Sequence, residues 1–73
     1  MRTYRIATRD GKELATVAAS NVTEVIATPA ASGAPLDAEI VAADSGRVLA
    51  RRELWTGGAA GWSLVPADAP RAR

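Results

Sequence analysis

Apolar and polar positions alternate along much of this chain in short runs, the period-two signature of strands with one buried face. Arg2 to Thr8 places Tyr4 and Ile6 on one face and Arg5 and Ala7 on the other. Glu13 to Ala19 forms a second run, and Asp10-Gly11 between them supplies the backbone freedom of a tight turn. Two registers fit. A two-residue loop sets Ala15 and Val17 beside Tyr4 and Ile6, whereas a three-residue loop sets Leu14 and Thr16 there. The larger apolar area of Leu14 favours the second.

The longest patterned stretch runs from Leu36 to Trp55, two apolar-rich arms joined by Asp44-Ser45-Gly46. It reads as a β-hairpin with a three-residue turn and Gly46 in the left-handed position. In that register Leu36, Ala38, Ile40, Ala42, Val48, Ala50 and Leu54 share one face, with Arg52 as the lone charged intruder. Asp37, Glu39, Val41, Leu49, Arg51 and Glu53 share the other, with Glu39 opposite Arg51. After Trp55, T-G-G-A-A-G reads as a flexible connector and Trp62 to Val65 as a short last strand. Pro66 ends it, and the remainder reads as a disordered tail.

Helical spacing occurs once. Asn21 and Glu24 stand at N-cap and N3 separation, Val22, Val25 and Ile26 follow at i, i+3 and i+4, and Gly33 with Pro35 supplies a stop. Pro29 opposes a long helix because its ring removes a backbone donor, and Thr28 before it is biased out of helical angles. A short helix from about Val22 that kinks or ends near Pro29 is the reading, with a third strand over 22–27 as its competitor. The pattern therefore predicts an α+β domain over residues 1–65, ββαββ in order. Its small antiparallel sheet has four or five strands with one short helix on one face, and 66–73 form the tail.

Composition limits what this fold can bury. The chain has 73 residues, and 17 of its 35 hydrophobic residues are Ala; Phe is absent. A chain this short buries roughly 60% of its unfolded surface, and Ala adds little at about 25 cal/mol per Å². The core is therefore thin, which favours association with another chain as a source of further burial. Two routes to a two-fold dimer exist, edge-strand pairing and stacking of the Val41/Leu49 face, and the face is preferred because Pro66 and nearby charges guard the last strand. The net charge of +1 and the lack of Cys and of a long apolar run point to a cytoplasmic protein without disulfides or a membrane span.

With no His and no Cys, the commonest general base, activated nucleophile and transition-metal ligands are missing. Asp37, Glu39, Asp44 and Glu53 stand mostly within cross-strand reach of Arg, which lowers carboxylate pKa values and spoils a general acid. G-G-A-A-G at 57–61 lacks the Lys-Ser/Thr of a phosphate loop. No catalytic residue, cofactor or metal is expected. Eight of the nine basic residues are Arg, but eight acids interleave with them, so no one-signed field favours nucleic acid. Trp55 and Trp62 suit a thin core; an exposed one becomes the best interaction anchor. The expectation is a non-catalytic module that binds a protein partner or a second copy of itself, with Arg5, Val41, Leu49, Arg51 and Trp55 at the contact. The alternative is single-stranded nucleic acid held by an Arg/Trp sheet face.

Overall fold

The computed structural model describes residues 1–65; the expected tail over 66–73 lies outside them. Five strands form one antiparallel sheet: β1 (Arg2–Thr8), β2 (Glu13–Ala19), β3 (Ala38–Ala42), β4 (Val48–Leu54) and β5 (Ala60–Leu64), in spatial order β2-β1-β3-β4-β5. Two short helices, α1 (Val22–Ile26) and α2 (Pro29–Ser32), connect β2 to β3. The small α+β class is as expected, but the order is ββααβββ, with two helical turns in place of one.

Local chemistry explains the split. The Asn21 side chain accepts from the Glu24 amide at 3.0 Å, and the Glu24 carboxylate accepts from the Ser20 amide at 2.7 Å, closing the start of α1. Thr28 is held extended ahead of the proline, at φ −79° and ψ 153°, as the ring requires. From there its hydroxyl accepts from the Ala31 amide at 3.3 Å and caps α2, with Pro29 at the first helical position. Pro29 therefore ends one helix by starting another.

Bulges set both early hairpins. The Thr8 amide donates to the Lys12 carbonyl at 2.9 Å around a three-residue loop, and Gly11 takes φ +99°. The register then shifts between Ile6 and Ala7, leaving Leu14 as the extra residue. Ile6 faces Ala15 and Tyr4 faces Val17, so the expectation that Leu14 and Thr16 share the Tyr4/Ile6 face is corrected. Leu14 is exposed. In the second hairpin the Ala42 amide donates to Arg47, so the loop spans four residues, 43–46, rather than three. A shift between Ile40 and Val41 makes Leu49 the extra residue and still sets Glu39 opposite Arg51. Val48 pairs with Val41, and Leu49 packs against the buried cluster. The two have exchanged the faces that strict alternation gave them.

Both helices cover one face of the sheet. The core comprises Tyr4, Ile6, Ala19, Val25, Ala31, Ala38, Ile40, Ala50 and Trp62. Four of these are Ala, and their small side chains let backbone approach the sheet. The Trp62 indole Nε1 donates to the Ala31 carbonyl at 3.0 Å. Arg52, the charged intruder, sends Nη2 to the Ser32 carbonyl at 2.9 Å and lies over the Trp62 ring at 5.7 Å. A guanidinium there satisfies a carbonyl at the end of α2, which accounts for its place on an apolar face.

Candidate interaction surface

The face opposite the helices is open, and four of the five expected contact residues lie on it. Arg5 is exposed at the sheet centre, opposite Thr16 on one side and Val41 on the other. Val41 is half-buried. The Arg51 Nε stands 3.3 Å from the Glu39 carboxylate, with 49% and 16% of the two side chains exposed. Trp55 follows β4. Leu49 does not join them, because its bulge turns it to the helix side, where it lines a cavity of 190 Å³ with Tyr4, Arg2 and Arg47. That volume is below the range of about 300–1,000 Å³ usual for small-molecule sites.

Trp55 is the most structured group on the open face. It leaves 48% of its surface in solvent, yet its ring is seated on Gly61. A Cβ on that glycine would lie 2.3 Å from Trp55 Cζ2, so only glycine admits the ring. The indole Nε1 donates to Ser63 Oγ at 3.5 Å, and Ser63 Oγ donates to the Glu53 carboxylate at 2.7 Å. The turn beneath is tight: Trp55 N donates to the Ala59 carbonyl at 2.6 Å, Gly58 N donates to Trp55 at 3.0 Å, and Gly57 and Gly58 both have positive φ. The expected flexible connector is therefore a hairpin turn, and Ala60 and Gly61 belong to β5.

Two more large apolar side chains are exposed at this end of the sheet. Leu54 is 63% and Leu64 is 59% exposed, both on the helix face but beyond the helices. Register alone did not foretell them, since it placed Leu54 with the core. Their exposure follows from how short α1 and α2 are.

Electrostatics elsewhere serve the fold. The Thr8 hydroxyl donates to the Asp10 carboxylate, and this bond, then the Lys12 amide, holds the Asp10 carboxyl below its usual range. The group is part of the first turn. Among the described residues, no three His, Cys, Asp or Glu side chains converge in a metal-binding arrangement, and no helix is long and apolar enough to cross a membrane. No protein-family model, curated protein or solved structure matches this chain.

Proposed function

We propose that the chain is a small, non-catalytic protein-interaction module whose contact surface is the β4–β5 end of the sheet. The observation that carries this reading is Trp55, half exposed and seated on Gly61. A large ring held in place before binding loses little entropy on contact, and Trp dominates interaction hot spots. Leu54 and Leu64 extend the apolar surface around it. The missing His and Cys support a non-catalytic role, and the missing Cys suits a cytoplasmic setting.

Arg5, Arg51 and Trp55 share the open face, the arrangement a single-stranded nucleic acid would use. Two features favour protein over that alternative. Arg51 is already paired with Glu39, and Glu53 places a carboxylate one hydroxyl away from the indole. Phosphate would meet negative charge beside the stacking ring.

The test compares the immobilised full chain with its Trp55→Ala and Leu54→Glu variants. Wild type should retain a defined protein, from a lysate or as a second copy of itself, and both variants should lose it. Retention of nucleic acid alone, with oligonucleotide quenching of Trp55 fluorescence that fades as salt rises, would replace this reading with the nucleic-acid one.

A further inference from the structure

The hydrogen-bond pattern of the last hairpin leaves one sheet edge unsatisfied in a specific way. Trp55 N donates to the Ala59 carbonyl and Val65 N to the Leu49 carbonyl. Residues 59, 61, 63 and 65 therefore turn their backbone groups toward β4, because hydrogen-bonded and non-bonded pairs alternate along an antiparallel ladder. Ala60, Trp62 and Leu64 occupy the non-bonded pairs, so their N–H and C=O groups point away from β4, at an edge of the sheet that no other strand among the described residues covers. The expected preference for stacking of the Val41/Leu49 face is corrected, because the bulge turns Leu49 to the helix side. Within β5 itself no charged residue and no proline blunts the edge.

We infer that β5 pairs antiparallel with β5 of a second copy of this chain, about a two-fold axis through Trp62. This deepens the interaction-module reading, on which it rests, by naming the partner and the register. A two-fold axis normal to the sheet keeps each face on its own side, so the centre of pairing falls at Gly61, Trp62 or Ser63. Only the Trp62 centre uses every free group. It sets Trp62 opposite Trp62 and each Ala60 opposite Leu64 of the other copy, for six backbone hydrogen bonds; either neighbouring centre makes four.

Side chains select the same register. On the helix face, Leu64 of one copy lies beside the small Ala60 of the other, in a row that continues to the exposed Leu54. On the open face, the row from Glu53 through Gly61 continues to Ser63 and Arg51 of the second copy, so opposite charges close it. A centre at Gly61 would align Glu53 with Glu53, and a centre at Ser63 would align Arg51 with Arg51. The same centre places Arg52 of each copy at the ends of the Trp62 row, each guanidinium turned back onto the Ser32 carbonyl of its own chain. Hydrogen bonding and size, rather than charge alone, therefore select this self-complementary arrangement, the requirement of a two-fold interface.

The chain contains no Cys, which permits a register-specific test on the full-length protein. Ala60→Cys and Leu64→Cys variants are prepared separately; both residues are exposed, so neither substitution enters the core. Facing residues in hydrogen-bonded pairs have Cα atoms about 5.5 Å apart, within disulfide range. In a glutathione redox buffer the A60C/L64C mixture should form a cross-linked dimer at least about tenfold in excess over either variant alone. Without oxidant, sedimentation of wild type should move from the 7.5 kDa chain toward twice that mass as concentration rises. L64P, which removes an edge N–H that the chain's own sheet does not use, should weaken association by about tenfold or more while keeping the wild-type circular dichroism spectrum. A single 7.5 kDa species at all concentrations, or cross-linking with no preference for the mixture, overturns the pairing. If such a monomer still retains a different protein in the capture experiment and loses it on L64P, the partner is another chain's strand and the interaction-module reading stands. If neither happens, both fall.

Discussion

The two edges of this sheet are built differently. β2 carries Glu13, is interrupted by the bulge at Leu14, and packs against α1. β5 is short, uninterrupted and uncharged, and has Leu54, Leu64 and Trp55 exposed around it. Among the described residues both edges have unpaired backbone groups, yet only β2 shows the devices that usually discourage strand addition. On the proposed pairing, this asymmetry would leave the domain one direction in which to add a strand.

Substitutions that strip the support of each edge should separate them. Trp62→Ala removes the largest core side chain of β5 together with its bond to the Ala31 carbonyl, and should cost about 3–5 kcal/mol in denaturant unfolding. For a domain this small, that loss should leave much of the chain unfolded at 25 °C. Asn21→Ala removes the cap that starts α1 beside β2, and should cost only about 1 kcal/mol by the same measurement. An equal cost for the two would erase the distinction between an edge seated by a core residue and one covered by a helix.

Gly61→Ala acts on β5 without touching its backbone pattern. The new Cβ would collide with the Trp55 ring and displace it from its seat toward solvent. The expected result is a red-shifted, more quenchable Trp55 emission and a stability loss under about 1 kcal/mol. Unchanged emission would mean that the ring does not rest on Gly61.

How much of this was legible in the sequence depended on whether local chemistry or register decided the outcome. Asn21, Glu24, Thr28 and Pro29 carry their meaning within four residues, so the helix start and its end near Pro29 were readable. A sheet of four or five strands followed from alternation, and five form, the last beginning at Ala60 rather than Trp62. Leu14 and Leu49 were misplaced because a bulge adds one residue and reverses facing, and nothing in the residue types marks where it falls. Trp55 and Trp62 were indistinguishable by type; which one is buried depends on where α2 lands. The Ala content read as a weak core, whereas Ala31, Ala38 and Ala50 are the positions that let the helix and sheet backbones meet.

Smaller effects sharpen the same picture. Replacing Glu39 by Gln should cost about 0.2–1 kcal/mol, because the Arg51 pair is half exposed, and a double-mutant cycle with Arg51→Ala reads the coupling. At the β1–β2 turn, the lowered Asp10 pKa means that its contribution to stability is present above the ordinary carboxylate range, near pH ~4. It is lost as pH falls through the lowered folded-state value. Melting curves between about pH 6 and pH 2 should show wild type losing slightly more than Asp10→Asn, with the difference confined to the acid end.

Amide hydrogen exchange, resolved by residue at low and at high protein concentration, tests the free β5 edge most directly. At low concentration the amides of Gly61 and Ser63, bonded to β4, should be protected, and those of Ala60, Trp62 and Leu64 should exchange quickly. At high concentration the three fast amides should slow together while Gly61 and Ser63 change little. Equal protection of all five at low concentration, or no slowing of Ala60, Trp62 and Leu64 at high concentration, would contradict a free edge that takes a second copy.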